Sequence, residues 1–327
     1  PNRFYTPLDV PDFDFLEKVG FPGEYPLTSS TFPVNARPVP ERAAKDEDTA
    51  GKSEVPGARV RAGRYSGYGA PEDTRDYYLQ MQGLGRGTGP NLAFDLPTQC
   101  GLDSDNPMAV GEVGRVGVAV DSLRDFEVIY EAFEGDNDID KISSNYTINA
   151  PASVITAMYF ALAHKRGIPL SKLRATPQND ILKEFIARGT YVFPPSHSMR
   201  LVRDFYTFCV KEAPNLNIAS IGGYHIREAG ATREQDLGFS MANGITYLRV
   251  GVEAGLDIDQ FAPRITFNAF GGSVEMLKEV AFQRAARRMW ARVVRERFGA
   301  KNPRSCLLRQ GLGPHMGYKD ATVNRPL

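Results

Sequence analysis

From about residue 88 the chain alternates short apolar runs with longer stretches of helical periodicity. The runs at 91–96, 141–146, 173–178, 217–221, 264–267 and 306–309 predict strands. Between them, 122–133, 152–165, 179–187, 199–211, 234–253 and 274–297 predict helices. In the last of these Met276, Val280, Ala285 and Trp290 fall near one stripe. Strands alternating with helices predict parallel βαβ units, an α/β fold. Six units are visible, whereas a closed (β/α)8 TIM-type barrel needs eight. Either the sheet is open, or the chain stops two units early and something else closes it. Residues 311–327 carry no helix cap or tail signal, which favours the second.

Residues 1–35 are rich in Pro, Phe and Tyr without clear periodicity and predict an extended arm laid over another surface. Residues 36–62 are charged and punctuated by Pro and Gly, so they predict a flexible loop or linker. Hydrophobic residues at 42% and charged residues at 24% are ordinary globular values. Lys plus Arg (39) balance Asp plus Glu (39), so no global field argues for nucleic acid or an anionic membrane. Cys100, Cys209 and Cys306 are far apart, which predicts no disulfide framework and fits a reducing cytoplasm. No apolar run approaches the roughly 20 residues of a membrane span, and the opening PNRFYTPLDVPDFDF does not read as a signal peptide. The expectation is a soluble cytoplasmic protein.

Candidate chemistry gathers at the ends of the predicted strands, where barrel enzymes build their sites. Thr176 and Gln178 end the third strand, Tyr224 and His225 follow the fourth, and Asn268 follows the fifth. Asn91 and Asn217, which open the first and fourth runs, join the candidate substrate-binding set. Gly222 and Gly223 precede His225 and permit close backbone approach to a ligand. Its imidazole either donates to a ligand carbonyl oxygen or is a plain structural histidine. His164 and His197 read as surface or capping groups, and His315 takes no assignment. No His or Cys pair has metal-ligand spacing, so no metal site is predicted. GLGRGTGP at 83–90 precedes a strand, the reverse of a dinucleotide fingerprint, and no GxSxG elbow occurs. Arg188 is either a surface arginine favoured by the helix dipole or a bidentate clamp on a carboxylate. Tyr65 by default is a buried aromatic anchor.

The motifs RYSGYG, AFDLPTQCGLDSDNP, GEVGRVGVAVDS, TPQNDILKEFIARGTYVFPP, SIGGYHIREAG and FAPRITF occur in order between residues 63 and 309. On these the chain resembles the adenosylcobalamin-dependent acyl-CoA mutases, most closely the large, substrate-binding subunits acting on methylmalonyl-CoA. The resemblance implies a (β/α)8 barrel spanning 63–327, incomplete at its C-terminus, behind an arm and charged loop at 1–62. Its axis would accept the pantetheine chain of coenzyme A. A cobalamin-binding domain carrying the lower cobalt ligand in a DxHxxG motif would cap the open end. No DxHxxG occurs here, so that domain is expected as a separate subunit or a missing C-terminal segment, within an oligomer.

By the same resemblance His225 hydrogen-bonds the migrating thioester carbonyl, and Tyr65 is an aromatic wedge that helps break the cobalt–carbon bond. Arg188 holds a free carboxylate; relatives acting on monocarboxylic acyl groups typically carry glutamine there and lack the tyrosine. Thr176, Gln178 and Arg264 resemble substrate contacts, and Phe94, Leu96, Val116, Ala187 and Glu228 resemble positions lining the corrin. The chain departs from the family pattern in several places. Gln99 replaces a histidine in the corrin-facing motif, Asn268 stands where phenylalanine is usual, and QGLGPHMG replaces HCQTSG. The insert at 36–62 disrupts an arginine-bearing segment, leaving Arg59, Arg61 and Arg64 as candidate substitutes. The implied activity is carbon-skeleton isomerisation of a carboxylated acyl-CoA of the methylmalonyl-CoA/succinyl-CoA type. Alternatives are a mutase for a bulkier branched acyl-CoA and a non-catalytic acyl-CoA-binding barrel subunit.

Overall fold

Five short parallel strands follow one another in space in the order of the chain. The computed structural model describes residues 12–29, 65–85, 87–268 and 275–310. Arg59, Arg61, Arg64, His315 and the segment 36–62 lie outside the described residues. In chain order the elements are α1 (Phe15–Lys18), α2 (Pro71–Gly83), β1 (Asn91–Ala93), α3 (Leu96–Gln99) and α4 (Leu123–Tyr130). There follow β2 (Ser144–Thr147), α5 (Ala152–Lys165), β3 (Ala175–Pro177), α6 (Ile181–Lys183) and α7 (Pro195–Glu212). The last are β4 (Ala219–Gly222), α8 (Tyr224–Glu228), α9 (Arg233–Glu253), α10 (Ile258–Phe261), β5 (Ile265–Asn268) and α11 (Met276–Arg292). Both α6 and α11 run on into a wider π turn, Glu184–Arg188 and Val293–Arg297.

The ladder β1-β2-β3 is parallel throughout, as is β4-β5. Backbone hydrogen bonds from Asn217 N to Ala175 O (2.9 Å) and from Ser220 N to Gln178 O (2.8 Å) lay β4 beside β3. At one edge Ser66 pairs in parallel with Leu92, and at the other Gln310 pairs with Phe267. The arc of parallel strands with intervening helices is consistent with a partial α/β barrel. The sixth predicted run, 306–309, opens at the end of a 3-10 turn (Pro303–Cys306); from Leu307 the chain is extended and lies parallel beside β5, Arg309 O accepting from Phe267 N at 2.7 Å and Gln310 pairing with Phe267 in a single bridge. Asn302 caps that turn by accepting from Arg304 N at 3.0 Å, so the chain extends only from Leu307 on.

Two further points depart from the expectation. Helix α2 was not anticipated, because its apolar positions are weakly periodic. It is started by Pro71 at its first position and by Asp73, whose carboxylate accepts from Ala70 N at 2.8 Å. In α11 the buried stripe is Phe282, Ala286 and Trp290, four residues apart, and Val280 is 51% exposed. The steps of five from Val280 to Ala285 and on to Trp290 drift off a helical face.

The strands have two unlike faces. Tyr146, Ile148, Ile221 and Phe267 join the core beneath α4, α5 and α11, with Phe267 edge-on to Trp290 at 5.0 Å. The alternate positions are polar: Asn91, Asn145 and Thr176 are register partners, as are Ser220 and Thr266, and Gly222 and Asn268. Of these, Asn91, Asn145, Thr176 and Thr266 are half-buried and Asn268 is exposed. A barrel filled by its own side chains carries bulky branched residues there, so this inner face is not built as a core.

The described part of the arm, 12–29, packs on α11. Arg288 pairs with Glu17, Arg287 Nη2 donates to Thr28 O at 2.9 Å, and Arg295 stacks over Tyr25 at 4.4 Å. Among the described residues no helix is long and apolar enough to cross a membrane.

Candidate functional site

At the C-terminal ends of β3 and β4 the backbone turns sharply and buried charges collect. Asn179 adopts a left-handed conformation (φ 48°), which aims Asp180 back under the sheet. The polypeptide then enters α6, where Lys183 and Glu184 are fully buried and paired at 2.8 Å. Asn149, from the end of β2, donates to both Gln178 Oε1 (3.0 Å) and Glu184 Oε1 (2.5 Å). Thr190 closes on Glu184 Oε2 from its backbone N (3.1 Å) and its hydroxyl (2.5 Å). Burial alone would raise the Glu184 carboxyl; Lys183, Thr190 and Arg188 outweigh it and hold the group below its usual range. Burial pulls the Lys183 ammonium down against the opposing charges of Glu184 and Asp180.

Arg188 closes the π turn, and Gly189 ends it in the left-handed region (φ 86°). Its Nη1 lies 3.6 Å from Glu184 Oε1, beyond hydrogen-bond reach, and is buried with no hydrogen-bond partner among the described residues. His225, in the first turn of α8, presents a second such atom: its Nδ1 is buried and unpartnered. Burial, and then the charges of Lys183 and Arg188, push the imidazole down to about 3, so it is neutral at physiological pH. Gln178 and His225 flank Gly222 at the end of β4. A Cβ there would stand 3.5 Å from both Gln178 Nε2 and His225 Nδ1. Buried polar atoms are nearly always satisfied, so two orphaned nitrogens on groups that feel one another's charge are what a site awaiting a polar ligand requires.

The other candidates divide. Thr176 and Asn217 join on the inner face, Asn217 Nδ2 donating to Thr176 Oγ1 at 2.7 Å, and Arg309 Nη1 donates to Asn217 Oδ1 at 3.0 Å. Asn91 opens β1 with its carbonyl accepting from Ser66 N at 2.9 Å. Asn268 is exposed at the strand end beside Gly222. Arg264 is not brought to this cluster. It precedes β5 at the opposite end and is buried, spending its guanidinium on the carbonyls of Leu216 (2.6 Å), Cys209 (3.1 Å) and Ala213 (2.9 Å). Tyr65 is 62% exposed, which corrects its default reading as a buried anchor.

Of the ring-facing candidates, Val116 is 54% exposed, Leu96 and Ala187 are half-buried and Glu228 is exposed at the end of α8. Phe94 is fully buried and edge-on to Tyr146 at 6.3 Å, so its side chain lines no accessible surface. Gln99 is turned inward, with Nε2 donating to Phe94 O at 2.5 Å and Oε1 buried without a partner.

Sequence reasoning passed over Met108, Val110 and Val113, which are exposed apolar side chains on the same loop as Val116. That loop is seated on the strand ends by the Gly114 N bond to Asp95 Oδ2 (2.7 Å) and the Gly69 N bond to Gly114 O (2.8 Å). Their signal was legible as apolar residues in a Gly-rich loop, where a core role is not available. An apolar rim of this kind fits the edge of a broad, flat ligand. Among the described residues no group of three or more His, Cys, Asp or Glu could hold a metal ion.

Residues 60–314 match the family described as methylmalonyl-CoA mutase. The chain is 41% identical over 328 aligned residues, 99% of its length, to the 2-hydroxyisobutanoyl-CoA mutase large subunit of Aquincola tertiaricarbonis. It is 38% identical over 93% of its length to the methylmalonyl-CoA mutase large subunit of Streptomyces virginiae, and 39% identical over 75% to the human mitochondrial methylmalonyl-CoA mutase. It spans 52% of the first of these relatives, 38% of the second and 32% of the third.

Proposed function

Because the chain belongs to the methylmalonyl-CoA mutase family, we propose that it forms the substrate-binding barrel of an adenosylcobalamin-dependent acyl-CoA mutase. Its reaction is the carbon-skeleton isomerisation of a carboxylated acyl-CoA of the methylmalonyl-CoA/succinyl-CoA type. The observation that carries this reading is the pair of buried, unpartnered nitrogens, His225 Nδ1 and Arg188 Nη1, at the end of a polar inner face.

Residues 63–327 belong to the (β/α)8 barrel in this reading, with the remaining strands supplied by another segment or subunit. Pantetheine runs along the inner face, where Asn145, Thr176 and Thr266 offer partners to its amides. The neutral His225 donates to the thioester carbonyl and stabilises charge that grows there during migration. Arg188 takes the free carboxylate, for which a planar guanidinium is better suited than an ammonium. Gln178 donates beside them. Tyr65, exposed at the rim, is the wedge between ring and substrate. Bound adenosylcobalamin supplies the radical that starts the rearrangement. Val116, Leu96 and Ala187, with Met108 and Val110, would hold it by apolar contact, and a cobalamin-binding subunit or segment in the same oligomer would complete its site. The free thiols Cys100, Cys209 and Cys306 suit the cytoplasm.

The test mixes the chain with a cobalamin-domain partner, adenosylcobalamin and methylmalonyl-CoA, and follows succinyl-CoA by chromatography. Interconversion is the expected result. If no acyl-CoA in a broad panel is isomerised, the non-catalytic acyl-CoA-binding reading replaces this one. A second substrate reading rests on Asn268, whose amide stands exposed beside the side-chain-free Gly222. That favours an acyl group with a bulkier or more polar branch, and competition among acyl-CoAs distinguishes the two.

A further inference from the structure

Glu184 lies behind the two open donors, and none of the roles above uses it. Its Oε1 accepts from Lys183 Nζ (2.8 Å) and Asn149 Nδ2 (2.5 Å), and its Oε2 from Thr190 N (3.1 Å) and Thr190 Oγ1 (2.5 Å). A carboxylate offers about four lone-pair sites, so four bonds leave none for a ligand or a proton in transit. A fully buried carboxylate is costly unless paired, and Lys183, equally buried, is its counter-ion. Such a group serves to hold its neighbours.

We propose that Glu184 is the positioning residue of the site: it holds Arg188 from behind and, through Asn149, orients the Gln178 amide, so that both keep N–H donors free beside His225. The Arg188 arm is direct. The π turn closes with Gly189 N on Glu184 O at 2.8 Å and keeps Arg188 Nη1 3.6 Å from Glu184 Oε1. That distance attracts the guanidinium without consuming its donor. The Gln178 arm runs through Asn149. Asn149 Oδ1 is pinned by Asp180 N at 2.9 Å, so its Nδ2 has a fixed direction, shared between Glu184 Oε1 and Gln178 Oε1. With Oε1 committed, Gln178 has only its NH2 end to offer, and that end lies by Gly222 and His225. One carboxylate thus sets two of the three donors on which recognition of a carboxylated thioester depends.

The proposal rests on the acyl-CoA reading for what those donors meet. Its test is calorimetric binding of succinyl-CoA and butyryl-CoA, which differ in the free carboxylate, to the full chain and its variants. The unmodified chain is expected to prefer succinyl-CoA by about tenfold or more, as a charged hydrogen bond provides. In Glu184→Gln the preference falls to about twofold or less while butyryl-CoA affinity changes by less than about threefold. Because that change strands the buried Lys183 charge, Lys183→Met/Glu184→Gln is measured beside it. The paired variant is expected to stay folded by circular dichroism and to lose the preference too. Equal weakening for both thioesters, or a paired variant that no longer folds, overturns the proposal in favour of plain structural support. An unmodified chain that binds neither thioester sinks the acyl-CoA reading and this proposal together.

Discussion

Asp180 Oδ2 accepts a 2.8 Å hydrogen bond from the amide of Gly222, tying the end of β3 to the end of β4 three residues before His225. Its other oxygen accepts from Tyr247 OH at 2.7 Å, and that hydroxyl in turn accepts from Leu182 N at 3.0 Å. The strand that leads into His225 and the helix that leads into Arg188 therefore share one buried anchor. Burial raises the Asp180 carboxyl, with Lys183, the Gly222 amide and Tyr247 acting against it.

Replacing that anchor should be costly. Asp180→Ala leaves the Gly222 N–H without a partner and the Tyr247 O–H without an acceptor, both buried, at about 1–3 kcal/mol each. Urea denaturation is expected to show a loss of about 2–4 kcal/mol, with Asp180→Asn losing less because its amide oxygen still accepts. An unchanged midpoint in Asp180→Ala would remove the anchor from the account.

Arg188→Gln should separate the two ends of the substrate. Loss of one charged hydrogen bond weakens binding of a dicarboxylic acyl-CoA by about 10- to 100-fold. Free coenzyme A, which lacks the carboxylate, is expected to bind within about twofold of the unmodified chain. Equal losses for both ligands would count against the clamp.

The depressed His225 makes stability fall as the solution is acidified. Its ordinary value is 6.5 and its value in the folded chain about 3, so between those pH values the unfolded chain takes up the proton first. The contribution is complete above about pH 6.5 and declines below it, by up to about 1.4 kcal/mol per pH unit. His225→Gln removes this dependence. The stability difference between unmodified chain and variant, from denaturation at pH 7.5 and pH 5, is expected to move against the unmodified chain at pH 5. A difference independent of pH would show that the imidazole is not held neutral.

Arg264 is expected to act on folding. Its guanidinium meets the carbonyls at the end of α7 and in the loop to β4. Arg264→Met should cost about 3 kcal/mol or more in thermal or urea denaturation, because three buried carbonyls lose a charged donor. The succinyl-to-butyryl preference should stay within about twofold of the unmodified chain. A folded Arg264→Met chain that has lost that preference would return Arg264 to the substrate contacts.

Much of the architecture could be read along the chain. Periodicity predicted helix α5 at its observed limits and five of the six strands to within a few residues, because β-branched and apolar runs between helical repeats have few other uses. At 306–309 a capped turn shortens the predicted strand to a single bridge beside β5, and 71–83 was missed because capping rather than an apolar stripe starts that helix. The site was legible as a set of strand-end residues. Gln178 and His225 flank Gly222 and the charge of Arg188 reaches His225, whereas Arg264 stands at the other end of its strand and Phe94 is sealed in the core.

Local sequence determined the order of elements, their parallel direction and which residues could carry chemistry, since backbone preference and side-chain type act over a few positions. Tertiary structure alone decided which charges are buried. Lys183 and Glu184 look like an ordinary solvated helix pair in DILKEF, and only packing under the strand ends removes their water and gives them one another. It also decided which face of each strand is left polar, because pleating assigns alternate residues to opposite sides, and only the packed helices show which side is the core.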